Sequence, residues 1–412
     1  MTLTIDSDRL SRELEQLAAF SDAPAPAVTR IVYSEQDRQA RDYVKGLCRA
    51  AGLEVREDAV GNTFARWTGS QPELPAVATG SHIDAIPHAG KYDGTVGVLG
   101  GLEAIRALQA SGFRPRRSVE LMVFTAEEPT RFGIGCFGSR LLSGAMAAWK
   151  GERLSDKDGK TLDQWRADAG FAGSLESVAV AAGAYAAFVE LHIEQGPLLE
   201  KAGLPLGIVT AIAAPASFRV TVEGEGGHAG ALLMPDRRDA LCGAAEIALE
   251  VEKTAKATEA IDSVATVGVF EVFPGAVNSV PSRVRMEIDI RDIDQARRDW
   301  MVNQMGAACK QAAIRRKLNV KAEVVNMDAP AECSVDVVEA LARAAETHGL
   351  GYQKMVSRAY HDSLFLARIA PTAMLFIPCR GGMSHRPEEF AAPEAIASGA
   401  LVLAEALREL AG

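Results

Sequence analysis

Apolar segments of strand length recur at both ends of this chain and alternate with stretches of helical periodicity. Before residue 212 the segments are TFARW, PAVATGS, SVELMVFTA and AAFVELHI, and after residue 330 TAMLFIP follows. Helical patterns lie between them, for example at 34–51 and 334–348. Because strands that are apolar throughout are buried on both faces, helices must cover both sides of their sheet. The pattern predicts an α/β domain with a mixed, mostly parallel sheet flanked by helices.

The middle of the chain has a different order of elements. FRVTVEG, VATVGVFEV, RVRMEIDIRD and NVKAEVVNM read as strands, with helices in PDRRDALCGAAEIALEVEKT and DQARRDWMVNQMGAACKQAAIRR. The resulting β-α-β-β-α-β order is typical of a small α+β, ferredoxin-like domain. We therefore predict an inserted domain at 213–328, within a catalytic domain formed by 1–212 and 329–412. A chain of 412 residues exceeds one ordinary core, which agrees with two domains.

Composition argues against several classes of function. The net charge of −10 disfavours a nucleic-acid partner, which would need clustered basic residues. No apolar run is long enough to span a bilayer, and the N-terminus does not resemble a signal peptide. The six cysteines are scattered without a CxxC pair, which suits a reducing compartment. We expect a cytoplasmic protein without nucleic-acid or membrane partners.

Polar residues with metal-ligand chemistry follow four of the predicted strands. They are His82 and Asp84 after PAVATGS, Glu127 and Glu128 after SVELMVFTA, His192 and Glu194 at the end of AAFVELHI, and His385 after TAMLFIP. Open α/β sheets place their sites at the carboxyl ends of the strands. Chance would scatter the seven histidines over both ends of the sheet. The sequence therefore predicts a single site that these residues share.

Five of the residues form an expected ligand set, with three imidazoles and two carboxylates: His82, Asp93, Glu128, His192 and His385. Zn²⁺-type ions take these ligands, and catalytic sites leave one position for water. Asp93 would bridge two ions, one bound by His82 and His192, the other by Glu128 and His385. The set suits Zn²⁺ or Mn²⁺, with Co²⁺ and Ni²⁺ as alternatives.

Two further carboxylates receive catalytic roles. Glu127 would stand beside the activated water without binding metal and act as general base. Asp84, two residues after His82, would accept the other N–H of that imidazole and fix its tautomer. An isolated Glu127–Glu128 pair would read as a solvated turn, but this pair directly follows an apolar strand. Glu194 is open between supporting the ligands and serving as a helix N-terminal charge.

One histidine and two cysteines near these motifs are predicted to have no catalytic or metal-binding role. His88 lies in the loop that carries Asp93, with no assigned role. Cys136 and Cys379 lie near the motifs, but no base is spaced to activate either thiol, so both read as packing residues.

Several motifs occur in the order and spacing of a known family. They are HID, TAEEPTRFG, ELHIEQGP, GGHAG, PGAVNSVPS, IDIRD and MSHRPEEF. The chain resembles the dinuclear metal amidohydrolases that hydrolyse N-carbamoyl and ureido groups, and TAIAAPASF and SRAYHDSLFLARI most resemble their ureidoglycolate-cleaving branch. The resemblance implies hydrolysis of a ureido C–N bond in a small carboxylate. The first expectation is (S)-ureidoglycolate, giving glyoxylate, ammonia and carbon dioxide.

The same resemblance implies roles for the inserted domain and for further residues. The domain would be a lid and would form a homodimer. The residues are Asn278 and Arg291 for the substrate carboxylate, His228 for the oxyanion of the partner subunit's site, and Gln195 and His361 for the substrate pocket. From the residues alone, Arg291 reads instead as a strand-end ion pair with Asp289 or Asp292.

Alternatives remain open at the level of substrate and of class. An N-carbamoyl-L-amino acid or allantoate would keep the mechanism and change the substrate. Members that act on these often carry two threonines after His-Ala-Gly, whereas this chain has Ala231 and Leu232, which favours ureidoglycolate. A non-catalytic binding protein on the same fold is the distant alternative. It predicts a missing ligand or base, and none is missing.

Overall fold

A computed structural model describes residues 3–412 and separates the chain into two compact units. The first unit extends to Thr210 and includes Cys333–Ser357 and His361–Gly412, and the second comprises Ala211–Glu332 and Arg358–Tyr360. Between residues 3 and 412, no helix is both long and apolar enough to cross a bilayer.

The strands are β1 Val28–Arg30, β2 Glu54–Glu57, β3 Thr63–Trp67, β4 Ala76–His82, β5 Ala85–Ala89, β6 Val119–Phe124, β7 Tyr185–Ile193, β8 Leu206–Ile212, β9 Ala214–Glu223, β10 Gly227–His228, β11 Val264–Phe273, β12 Ser279–Val280, β13 Arg283–Asp292, β14 Asn319–Met327, β15 Ala331–Glu332, β16 Tyr352–Ser357 and β17 Thr372–Ile377. The α-helices are α1 Ser7–Ala18, α2 Glu35–Ala50, α3 Thr95–Ala110, α4 Phe137–Leu142, α5 Ala148–Gly151, α6 Leu162–Asp168, α7 Leu198–Ala202, α8 Ala240–Ala257, α9 Gln295–Arg316, α10 Val335–Thr347, α11 Asp362–Leu366 and α12 Pro393–Ala411.

The first unit is built on a mixed sheet with the order β8-β17-β7-β4-β6-β3-β2, and β16 pairs with β8. Its central strands β17, β7, β4 and β6 run parallel. β8 is antiparallel to β17, β3 to β6, and β2 to β3. Every residue of β4, β6 and β17 is buried. Helices flank this sheet: α3 packs on β4, β6 and β7, α12 on β4, β7 and β17, and α2 on β2 and β3. The predicted α/β class with a mixed sheet flanked by helices is therefore confirmed.

The larger elements of the second unit follow the order β9-α8-β11-β13-α9-β14, and the short strands β10 and β12 lie between them and pair with each other. The four long strands form an antiparallel sheet in the order β11-β13-β9-β14. Alternate residues of β13 are buried, including Val284, Met286 and Ile288, and they join one apolar core with α8 and α9. The helix predicted from PDRRDAL begins only at Ala240. Asp239 precedes it, and the Asp239 carboxylate accepts hydrogen bonds from the first-turn N–H groups.

Candidate metal centre and active site

The parallel strands of the first unit bring the predicted ligands to one edge of the sheet. His82 is the last residue of β4, and His192 is the penultimate residue of β7. Glu128 follows β6, and His385 follows β17. Because β4, β6, β7 and β17 are parallel neighbours, their carboxyl ends lie together.

Asp93 lies between two groups of these ligands. Its Oδ1 is 3.5 Å from His82 Nε2 and 3.2 Å from His192 Nε2. Its Oδ2 is 3.3 Å from His385 Nε2, which is also 3.3 Å from Glu128 Oε1. Each group has ligand atoms that all lie within 4.8 Å of one another. The donor chemistry and this spacing fit divalent metal ions.

The start of α3 holds Asp93 against the imidazoles. Gly94, the next residue, has φ of 66°, a left-handed conformation that favours glycine. A β-carbon at Gly94 would lie 2.5 Å from the ring of His82. The turn therefore needs glycine both for its backbone conformation and for the close approach of the ring.

A further group with suitable spacing comprises Glu190, His192 and His361. Its carboxylate is already engaged, since Ser81 Oγ donates to one oxygen of Glu190 at 2.7 Å and Ser363 Oγ to the other at 2.6 Å. Hydrogen bonds to both oxygens make Glu190 a buried anchor for the chain around it.

Glu127 lies beside the first group with 9% of its surface exposed. One carboxylate oxygen is 3.7 Å from His82 Nε2, and the other accepts a hydrogen bond from the thiol of Cys136 at 3.4 Å. Burial, together with the neighbouring Glu128 carboxylate, raises the pKa of Glu127 well above its usual value, although His82 opposes this. Cys136 is buried as expected, but its contact with Glu127 is not visible from sequence spacing.

Asp84 orients different groups from those predicted. His82 Nδ1 lies 3.0 Å from the main-chain carbonyl of Asp84, whereas the nearest carboxylate oxygen is 3.7 Å away. The carboxylate accepts hydrogen bonds from the N–H groups of Glu127 at 3.2 Å and Glu128 at 3.1 Å. The expectation that the Asp84 carboxylate accepts the imidazole N–H is therefore wrong. Two main-chain donors lie closer to this carboxylate, which instead holds the turn that carries the glutamate pair.

Two predicted pocket residues contact the ligands themselves. Gln195 Nε2 donates a 2.7 Å hydrogen bond to Asp93 Oδ2. His361 is buried, with its ring centroid 4.5 Å from that of His192 and its Nε2 3.1 Å from Ser357 Oγ. Glu194 accepts hydrogen bonds from the N–H groups of Leu198 and Leu199 at the start of α7. These contacts are those of the helix N-terminal role, one of the two predicted for Glu194.

Sequence reasoning missed the residues that support Asp93 from the C-terminal segment. Ser384 Oγ lies 2.7 Å from Asp93 Oδ2, and the Glu389 carboxylate accepts from the main-chain N–H groups of Tyr92 and Asp93. The available signal was the position of both residues in MSHRPEEF, next to His385.

The remaining predicted residues belong to the second unit. His228 in β10 lies opposite Ser279 in β12, and the main chain of Asn278 accepts a hydrogen bond from Ala229. Arg291 forms an ion pair with Asp289, with 2.7 Å between Nε and Oδ1. The strand-end ion pair considered from the sequence is therefore present.

We expect metal binding at this site to release protons. Burial lowers the pKa values of His82 and His192, but the surrounding carboxylates outweigh it and raise both above the usual value. Contacts with Asp93 and Glu128 raise the pKa of His385 to about 11. Because a ligand imidazole must be neutral, falling pH favours the protonated form and weakens metal binding.

Calorimetry in two buffers of different ionisation enthalpy, between about pH 8 and pH 6, measures this release. Equal heats in both buffers, with an affinity independent of pH, would contradict the expectation.

The chain belongs to the Peptidase family M20/M25/M40, whose model matches residues 78–409. Ureidoglycolate hydrolase of Arabidopsis thaliana is 52% identical, over 99% of this chain and 87% of the relative. An N-carbamoyl-L-amino-acid amidohydrolase of Pseudomonas sp. (strain NS671) is 36% identical, over 98% of this chain and 99% of the relative. A crystal structure of AtUAH in complex with glyoxylate matches with a TM-score of 0.89 and 52% identity, covering 99% of this chain and 98% of that one.

These relationships confirm the family resemblance inferred from the motifs. The chain is a hydrolase that acts on amide C–N bonds. Members of the family typically bind divalent metals, and the two groups around Asp93 have the ligands to do so.

Proposed function

We propose that the first unit is the catalytic domain and would hold two divalent ions, with Asp93 available to both. His82 and His192 would supply the other ligands of one ion, and Glu128 and His385 those of the other. The support is geometric, since the two oxygens of Asp93 face separate groups. Zn²⁺ or Mn²⁺ fits this ligand set, as would Co²⁺ or Ni²⁺.

When bound, ions of this kind lower the pKa of water and polarise a carbonyl oxygen. Glu127 accepts the proton of the attacking water and delivers it to the leaving nitrogen. Asp84 holds Glu127 in place through the main chain of the turn. The C–N bond of the ureido group breaks, and ammonia and carbon dioxide are released. For (S)-ureidoglycolate the remainder yields glyoxylate and a second ammonia, which balances the addition of one water.

One unpaired acceptor supports a ureido substrate. The Asp93 carboxylate only accepts hydrogen bonds, so the amide nitrogen of Gln195 must face it. Gln195 Oε1 is then left buried, with no hydrogen-bond partner among residues 3–412. A substrate N–H₂ group would satisfy this oxygen. Within the ureido class, the 52% identity to a ureidoglycolate hydrolase and the Ala231–Leu232 pair favour ureidoglycolate.

For the second unit we propose a ferredoxin-like lid and dimerisation domain. Asn278 and Arg291 would bind the substrate carboxylate, since the guanidinium fork matches it. His228 of one subunit would stabilise the oxyanion in the other, and His361 would line the pocket. The family resemblance supports these roles. Sedimentation of the protein as a monomer at assay concentration would contradict the dimer.

Ammonia release by the Mn²⁺-reconstituted protein tests the proposed function. Ureidoglycolate, allantoate and a panel of N-carbamoyl-L-amino acids are compared in parallel. We expect a clear preference for ureidoglycolate in kcat/KM, with two ammonia molecules per glyoxylate. A preference for an N-carbamoyl-L-amino acid, the substrate class in the name of the 36% identical relative, would change the substrate and leave the chemistry intact. Binding without ammonia release from any substrate would indicate the non-catalytic alternative.

A further inference from the structure

We propose that Glu389 and Ser384 form a clamp on the shared carboxylate Asp93 and that this clamp sets the affinity for the ion of the Glu128–His385 group. The inference rests on the two-ion arrangement of the proposed function. Glu389 and Ser384 are then positioning residues, since they act on the metal site through Asp93.

Glu389 fixes the main chain that carries Asp93. Its side chain is buried, with 4% of the residue exposed. Its Oε1 accepts hydrogen bonds from the N–H of Tyr92 at 2.8 Å and of Asp93 at 3.1 Å. The side chain also packs against Gly90, where a β-carbon would clash with it. A buried carboxylate held by two main-chain donors restrains the turn before α3.

Ser384 connects this anchor to the carboxylate of Asp93. Its Oγ lies 2.7 Å from Asp93 Oδ2 and 2.8 Å from Glu389 Oε2, so one hydroxyl proton stands between two carboxylates. Oδ2 is the oxygen that faces His385, whereas Oδ1 faces His82 and His192. The clamp therefore acts on the Asp93 oxygen that faces the Glu128–His385 group.

The positions along the chain explain why the effect should be local. Ser384 directly precedes His385, and Glu389 follows four residues later. Their hydrogen bonds tie the segment that carries His385 to the segment that carries Asp93. Residues that orient ligands in this way commonly contribute about 10- to 100-fold to metal affinity.

The clamp is tested by measuring the stepwise binding of Mn²⁺ to the metal-free protein, with calorimetry and chelator competition as the methods. Glu389→Ala is expected to weaken one of the two Mn²⁺ equivalents by about 10- to 100-fold and to leave the other within about twofold. Glu389→Gln should stay within about threefold of wild type, because its amide oxygen accepts the main-chain N–H groups and its amide nitrogen donates to Ser384. Ser384→Ala should also weaken one equivalent. Glu388→Ala, at an exposed neighbouring glutamate, is the matched control.

Wild-type binding of both equivalents by Glu389→Ala and Ser384→Ala would overturn the inference, as would an equal loss of both. Ser384→Ala retains the main-chain contacts of Glu389 and covers the case in which Glu389→Ala does not fold. A wild-type protein that binds only one Mn²⁺ would contradict the two-ion arrangement and the clamp together. Two equivalents in wild type with no effect of either substitution would contradict the clamp alone.

Discussion

Glu127→Gln is expected to lower kcat by about 10²- to 10⁴-fold while the protein keeps its full metal content. The glutamine amide has nearly the same shape as the carboxylate but cannot take up the proton of the attacking water. The turn should persist, because the contacts of the Glu127 main chain with Asp84 and Cys136 do not involve the substituted atoms. Ammonia release measures kcat, and inductively coupled plasma mass spectrometry measures bound metal.

Glu388→Gln serves as the control for this substitution, since it makes the same chemical change on an exposed side chain. Normal turnover by Glu127→Gln would remove Glu127 from the role of general base. A variant that loses both turnover and metal would instead place Glu127 among the ligands.

Asp93→Asn is expected to abolish activity and to weaken the binding of each ion by more than about 100-fold. This loss of affinity is larger than the loss caused by removing a residue that only supports a ligand. Burial opposes ionisation of Asp93, but hydrogen bonds from His192, His385 and His82 hold its pKa well below the usual range. The residue is therefore an anion in the metal-free protein. Asparagine removes the charge that both groups share, so neither group retains its ligand set.

Bound metal per subunit and stepwise Mn²⁺ affinity measure the result for Asp93→Asn. His88→Ala is the control, because His88 is an exposed histidine close to Asp93 in the chain and should leave both affinities unchanged. Retention of one ion at wild-type affinity would show that Asp93 serves a single ion.

Strand ends were the part of the site that the sequence could predict. PAVATGS and SVELMVFTA became β4 and β6, fully buried, and placed His82 and the glutamate pair at the same sheet edge. The prediction of these strand ends succeeds because the hydrophobic periodicity and burial of a strand depend on its own segment of sequence. Parallel neighbouring strands then bring their carboxyl ends to the same edge of the sheet. The short strands β1, β2, β5 and β16 have no comparable apolar run and were missed. The apolar strand β8 was missed as well.

Contacts between distant segments were beyond sequence reasoning. The hydrogen bond from the N–H of Tyr92 to Glu389 joins residues 297 positions apart, and no spacing rule links them. The main-chain N–H groups that donate to the Asp84 carboxylate are a further example, since their positions depend on how the turn after β6 approaches β4. Residue types and local order indicated the ligands, and only tertiary structure identifies what holds them.

The place of β17 in the sheet has a consequence for biosynthesis. β17 pairs with β7, whose other edge pairs with β4. A ribosome that has completed β7 must still translate the whole second unit before β17 appears, which takes roughly 10–40 s at about 5–20 residues per second. During that interval one edge of an apolar strand has no neighbour, and such edges promote aggregation. Slow translation or a premature stop before residue 372 would therefore leave an aggregation-prone nascent chain, so soluble yield should depend on rapid translation of residues 194–377 or on chaperone cover.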